Sequence, residues 1–202
     1  MSTSRLQNLA DGVFAIVMTL LVFELQIPDT FAQLDELQLR QHVAAQLPNL
    51  LSYVLSFVIL GVYWTGHHSQ FLYIKRADHQ LIWLNILFLM FVALIPYSAG
   101  LLGRSGVQQT AVIIYGLNLI VVALAHFAKW RYVTSHPRLV DDDIAIAIVN
   151  QGNARCLVPM ALYVVAIMLS FLSATLSVVM YALMPIIYIF ELFSEKTVNS
   201  PS

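Results

Sequence analysis

The chain has 202 residues, 59% of them hydrophobic and only 10% charged, with a mean hydropathy of +0.78 and a formal net charge of −1. A soluble domain carries about 25% charged residues, so this composition excludes an ordinary water-soluble globule. The near-neutral balance and scattered basic residues give no nucleic-acid footprint, and the single cysteine, Cys156, excludes an intrachain disulfide.

A bilayer core of about 30 Å takes about 20 apolar residues per helix. Stretches of that kind lie at residues 6–26, 47–70, 80–102, 107–130, 155–172 and 175–194. The last two are joined through Ser170-Phe171-Leu172-Ser173-Ala174 without a charge. A single helix there would be about 57 Å long at 1.5 Å per residue, too long for one crossing, so a tight hairpin near Ser173 is expected. With the N-terminus inside, Arg5, Lys75, Arg76, Lys129, Arg131, Arg138, Arg155 and Lys196 fall on the cytoplasmic side, and Arg40 and Arg104 outside. That is the bias expected of cytoplasmic loops, and it puts both termini inside. A five-helix arrangement would move only Lys196, so charge alone does not separate the two. The first apolar run is too long for a cleavable signal peptide. The expected fold class is therefore all-α: a polytopic membrane protein, one six-helix domain over residues 1–202.

The first segment, RLQNLADGVFAIVMTLLVFEL, places Asp11 and Gly12 at the entry of an apolar run. Ionisable groups at such a depth usually mark a path or a structural lock. At 100° per residue Ile16, Leu20 and Phe23 share one face, with Gly12 a turn earlier. Thr19 lies beside them and carries the only polar side chain between Gly12 and Glu24. Around a symmetric pore, Ile16 and Leu20 would form apolar rings about 6 Å apart, able to gate by dewetting, and a threonine ring would replace part of a cation's hydration shell. A stripe of this kind is ordinarily a lipid-facing or packing stripe, and periodicity leaves both readings open.

Residues 27–46 form the longest outside loop. Phe31, Leu34, Leu37 and Leu39 recur there at near-helical spacing, which predicts a short amphipathic helix. Its acidic residues Asp29, Asp35 and Glu36 suit either an ordinary solvated loop or a cation-concentrating mouth. The second segment ends in Trp64-Thr65-Gly66-His67-His68, on the side that also carries Arg5 and Asp11. A buried aspartate needs donors or cations, and indole and imidazole N–H groups supply them. The expected role is a hydrogen-bond lock on the first helix, with a proton relay or metal site as the competing reading. Adjacent histidines diverge by about 100° on a helix, so a shared metal is not expected. In the third segment, Asn85 lies near the same side and Pro96 predicts a kink near the outer end. His126 reads as an interface residue, and Tyr115, Tyr163, Tyr181 and Tyr188 as packing or interfacial groups. The triplet Asp141-Asp142-Asp143 suits a helix N-terminal cap better than a calcium site. There is no HExxH, GxSxG or Walker pattern and no TVGYG-type filter, so no enzyme, bound metal or cofactor is expected.

Arg5-Leu6-Gln7-Asn8-Leu9-Ala10-Asp11-Gly12 resembles the R-x-x-x-F-S-D-G motif that opens the first helix of the transmembrane protein 175 family, and Trp64-Thr65-Gly66-His67-His68 resembles its W-x-x-H-H pattern. Asn85 and Ile95-Pro96-Tyr97 resemble its third-helix pattern. Leu9 and Ala10 depart from the motif's phenylalanine and serine. The likeness covers the first half of the chain; the last three helices match in number and length only. This is the endosomal and lysosomal potassium-channel family, and the chain resembles its single-repeat prokaryotic branch. The resemblance implies a homotetramer of six-helix subunits in a lipid bilayer, with the first helix lining a central pore. It implies a main constriction at Ile16, continued by Leu20 and Phe23, with Thr19 in selectivity. Arg5, Asp11, Trp64, His67, His68 and Asn85 would form a structural network near the cytoplasmic end.

The sequence-based expectation is a modestly selective potassium channel in a prokaryotic cell membrane. Its only ligands would be the permeant K⁺ and other monovalent cations, and its partners further copies of itself. The alternatives are a proton-conducting or proton-coupled carrier built on Asp11 and the histidines, and a membrane scaffold without flux.

Overall fold

The computed structural model describes residues 2–25, 34–105, 107–140 and 144–198, with side chains as far as Tyr188. Apart from one isolated β-bridge, the regular structure in these residues is helical. Helix α1, Thr3–Leu20, runs into a 3-10 turn at Leu21–Glu24. It is followed by α2, Glu36–Ala45; α3, Leu47–Phe71; α4, His79–Val92; and α5, Ile95–Arg104. Then come α6, Gln109–Thr134; α7, Ile146–Leu169; and α8, Ala174–Val198. Thr3–Glu24, Leu47–Phe71, His79–Arg104, Gln109–Thr134 and Ile146–Leu169 are each long and apolar enough to cross a bilayer, and Ala174–Tyr188 is a shorter apolar helix. The chain is an integral membrane protein.

The elements differ from the hydropathy segments at instructive places. The third segment is two helices, because Pro96 has no N–H to continue the ladder. The chain breaks at Ala93-Leu94, and the proline sits in the first turn of α5, where its missing donor costs nothing. Helix α7 begins nine residues before the segment expected at 155, because Ile146–Ala154 is helical though less apolar. Helix α2 is fixed at its start by a capping box. Gln38 N–H donates to Asp35 Oδ1 at 2.8 Å, and Asp35 N–H donates to Gln38 Oε1 at 3.0 Å. It buries none of its residues, and Leu37 is exposed; the amphipathic pattern finds no partner surface among the described residues. Phe31, Asp29 and the Asp141-Asp142-Asp143 triplet lie outside the described residues.

The main core joins α1, α3, α4, α5, α6, α7 and α8 around Phe14, Ile59, Phe88, Tyr115, Leu119 and Tyr163. Its tyrosine hydroxyls are satisfied within the bundle: Tyr63 donates to Leu119 O at 3.0 Å, Tyr181 donates to Val112 O at 3.1 Å, and Tyr115 bonds Ser56 Oγ at 3.0 Å. This is what an apolar solvent requires of a polar tip.

A second cluster closes the end that holds the N-terminus of α1, where Leu6 meets Phe71, Ile74, Leu81, Val133, Leu139 and Val140. Asp78 ties that end together. It caps Leu81 N–H at 2.9 Å and accepts from Tyr132 Oη at 2.6 Å and Arg138 Nη2 at 2.9 Å. Burial pushes the Asp78 carboxyl up, but the Tyr132, Leu81 and Arg138 donors outweigh it and hold it below the usual carboxylate range. At the opposite end Arg104 Nη2 donates to Glu24 Oε2 at 2.7 Å. Gly100 makes room for that pair, since a Cβ there would collide with the Glu24 carboxylate.

Candidate pore-lining face and its anchoring contacts

Helix α1 packs on α3, α4 and α5. Leu6, Ala10, Phe14 and Val17, with Leu21 in the turn that follows, are buried there. Their spacing of four, four, three and four residues is one helical stripe. The opposite side is open. Gly12 is exposed with nothing within 4 Å of where a Cβ would stand. Ile16 is 60% exposed, Leu20 43% and Phe23 69%. Thr19 lies on the same open side, and its Oγ1–H donates to its own helix, at 2.8 Å to Ile16 O and 3.0 Å to Ala15 O. The donor is thus spent on the backbone and the hydroxyl oxygen is left outward as an acceptor, the polarity a cation would meet.

The six residues expected to form one network fall into a group of three, a pair, and Arg5, which contacts none of the other five. Trp64 Nε1–H donates to Asp11 Oδ1 at 2.8 Å, tying α3 to the first half of α1 on the exposed side. His68 stacks on Trp64, ring centroids 6.2 Å apart. His67 turns inward as its position one residue earlier dictates. It is buried and its Nε2–H donates to Asn85 Oδ1 at 2.9 Å. Its ring lies between Phe71 at 4.6 Å and Phe88 at 5.7 Å, with Phe14 of α1 at 6.4 Å. Asn85 therefore serves His67 and not Asp11. The Arg5 side chain is exposed, with no hydrogen bond or ion pair among the described residues.

Two neighbours of this site were not read from the sequence as part of it. Lys129, counted with the cytoplasmic loops, is fully buried. Its Nζ lies 4.7 Å from the Phe88 ring centroid and 5.3 Å from that of Phe71, with no hydrogen-bond partner among the described residues. His126, expected at the interface, is buried with its ring 5.0 Å from Phe88 and Nδ1 unpartnered. The signal for both was their place on a long apolar helix, three residues apart, since residues at that spacing share a face. Among the described residues no group of three or more His, Cys, Asp or Glu side chains is arranged to hold a metal.

Residues 5–96, which contain α1, Trp64, both histidines and Asn85, match the family model described as the endosomal/lysosomal potassium channel TMEM175. A potassium channel of Streptomyces collinus is 30% identical over 193 residues, covering 94% of this chain and 92% of its own. The endosomal/lysosomal proton channel TMEM175 of Gallus gallus is 31% identical over 147 residues, which is 68% of this chain and 29% of that protein. The crystal structure of a lysosomal potassium-selective channel TMEM175 homolog from Chamaesiphon minutus superposes with a TM-score of 0.81 at 27% identity, covering 94% of this chain and 97% of that one.

Proposed function

Because the chain belongs to the TMEM175 family, we propose that it is a potassium-selective cation channel whose pore is lined by α1. The observation that carries this is the open face of that helix. An apolar face buried on one side and exposed on the other has to meet either lipid, a further copy, or the ions. The bacterial relative of nearly equal length is a potassium channel, which favours the last.

On this reading four copies bring their α1 helices together around a central axis. Ile16 and Leu20 supply successive apolar rings that hold the pore dry, Phe23 extends them, and the Thr19 oxygens offer the polar contact that distinguishes cations. Hydrophobic rings impede ions by dewetting, without any charge of their own. The Asp11–Trp64 bond and the His67–Asn85 pair orient α1 on its scaffold, so they act on position and not on ion coordination. Six crossings, with Ala174–Tyr188 as the last and both termini in the cytoplasm, agree with the basic-residue bias. A prokaryotic cell membrane is the location this reading gives it, supported by the bacterial potassium channel it resembles over most of both chains.

Potassium flux into liposomes holding the purified protein tests the reading, with sodium and a proton gradient as parallel conditions. Potassium flux without a proton gradient, exceeding sodium flux and rising in Ile16→Asn as the constriction wets, is the expected result. Flux only under a proton gradient would replace the channel by a proton-coupled carrier. Potassium flux that Ile16→Asn leaves unchanged would remove α1 from the pore.

A further inference from the structure

At the α1 N-terminal end of the bundle, on the far side of α3 from the Asp11–Trp64 bond, lies a cavity of about 170 Å³. It opens between α3, α6, α7 and α8, and its wall is largely apolar, with Tyr63, Tyr73, Pro159 and Met184 among its residues. Among the described residues, two polar atoms in that wall are buried without a partner: Gln70 Oε1 and His126 Nδ1. Gln70 spends its amide N–H on Cys156 Sγ at 3.8 Å, so its carbonyl oxygen is an acceptor in want of a donor. Unsatisfied buried polar atoms are uncommon in native structures and point to a missing partner. Among the described residues of the wall, Arg155 carries the one formal charge. A mostly apolar cavity with a few convergent polar atoms is the form of a small-molecule site.

We propose that this cavity binds a small uncharged amphiphile, a ring bearing a hydroxyl that donates to Gln70 Oε1, and that its occupancy changes ion flux. The second half rests on the channel reading. Its physical basis is that the cavity wall and the support of α1 are opposite faces of the same turns of α3. Tyr63, Thr65, Gly66 and Gln70 of α3 line the cavity, while Trp64 and His67, between them in sequence, hold α1. His126 in the wall touches Phe88, which lies 6.1 Å from Phe14 of α1. A ligand that shifts His126 or Gln70 therefore moves groups that seat the pore helix. Water alone would leave the apolar part of the wall wetted without compensation, whereas a ring fills it and a hydroxyl meets the orphaned acceptor.

The chain's one cysteine makes the cavity addressable, because Cys156 lies in its wall. Methyl methanethiosulfonate forms a disulfide with the Cys156 thiolate, expelling methanesulfinate, while the thiol proton passes to buffer. Phenol is the probe, and toluene its partner without a hydroxyl. In the full-length protein, phenol at about four times its dissociation constant should slow Cys156 labelling about fivefold. Toluene should protect less, and Gln70→Leu should erase the difference between them. Phenol should also change potassium flux in the wild type but not in Gly66→Leu, where the new side chain fills the cavity against His126; Gln70→Leu serves if that variant does not fold.

Labelling unaffected by phenol, or equal protection by toluene, would overturn the site. Labelling slowed as strongly by added phospholipid would assign the cavity to a lipid chain and overturn it likewise. Protection with unchanged flux would overturn the modulatory half. Absence of potassium flux before any probe is added would defeat the channel reading instead, leaving the protection result to stand by itself.

Discussion

The two faces of α1 are both apolar, yet they have different jobs. One carries Leu6, Ala10, Phe14 and Val17 into the bundle, where small Ala10 admits close packing and Phe14 reaches the rings of Phe88 and His67. The other carries Gly12, Ile16, Thr19, Leu20 and Phe23 outward, all exposed among the described residues. Hydrophobicity does not separate them; partners do. The buried face belongs to folding, whose free energy is the sum of its contacts within one chain. The open face belongs to assembly and conduction, and substitutions there should be nearly silent in stability and loud in flux.

The sharpest way to break that division is to compare Phe14→Ala with Ile16→Asn. Removing the Phe14 ring empties a fully packed position between α1, α3 and α4 and should cost about 3–5 kcal/mol, seen as a large loss of thermal stability in detergent. Ile16→Asn should stay within about 0.5 kcal/mol of the wild type, as exposed substitutions do, while potassium flux rises. If Ile16→Asn unfolded the chain as Phe14→Ala does, the open face would be a packing face and the pore would have to be sought elsewhere.

A smaller effect is expected where the two faces meet. Asp11 is exposed but bonded to Trp64, so it sits at the seam between scaffold and open face. Asp11→Ala should cost about 1 kcal/mol, because water reaches both partners and replaces much of the bond. The expected consequence is weaker assembly on sizing in mild detergent, with the potassium-to-sodium ratio retained. An intact assembly with an altered ion ratio would instead move Asp11 from the seam into the ion path.

The legible part of this protein was what periodicity and length govern. Apolar runs of bilayer length gave an all-helical membrane protein, and the i, i+4, i+7 face of Ile16, Leu20 and Phe23 is an open face of α1. The one-residue step from His67 to His68 separates an inward imidazole from an outward one, as 100° of rotation requires. What could not be read was pairing across helices. Asn85 lay at the right depth for Asp11 but bonds His67, because which of two polar groups it meets depends on α4's rotation against α3. Lys129 was misplaced for a related reason: charge counting assigns a lysine near a helix end to the loop, whereas four more residues of α6 carry it a turn inside the bundle, against Phe88 and Phe71. The break before Pro96 was visible as a proline, but not as the start of a separate helix.

The smallest predicted effect lies furthest from the open face and tests whether the α1 N-terminal end behaves as plain scaffold. Asp78 is held below its ordinary value of 3.8 by donors from Tyr132, Leu81 and Arg138. A depressed carboxyl contributes stability above its unfolded value and loses it as pH falls through the folded one. The contribution should therefore be whole at neutral pH and fade from about pH 4 downward. Because Arg138 is largely solvent-exposed, water screens the ion pair and its share is below about 1 kcal/mol. Asp78→Asn keeps an oxygen for Leu81 N–H, puts an amide NH₂ where Oδ2 accepted from Tyr132 and Arg138, and removes the titrating charge. It should lower thermal stability slightly at pH 7 and flatten its fall toward pH 3, with potassium flux unchanged at neutral pH. Flux that tracked the Asp78 substitution would mean that this end moves with the pore helix, whose Leu6 is packed in the same cluster, and the line between a folding face and a working face would then run through Leu6 and not along the length of α1.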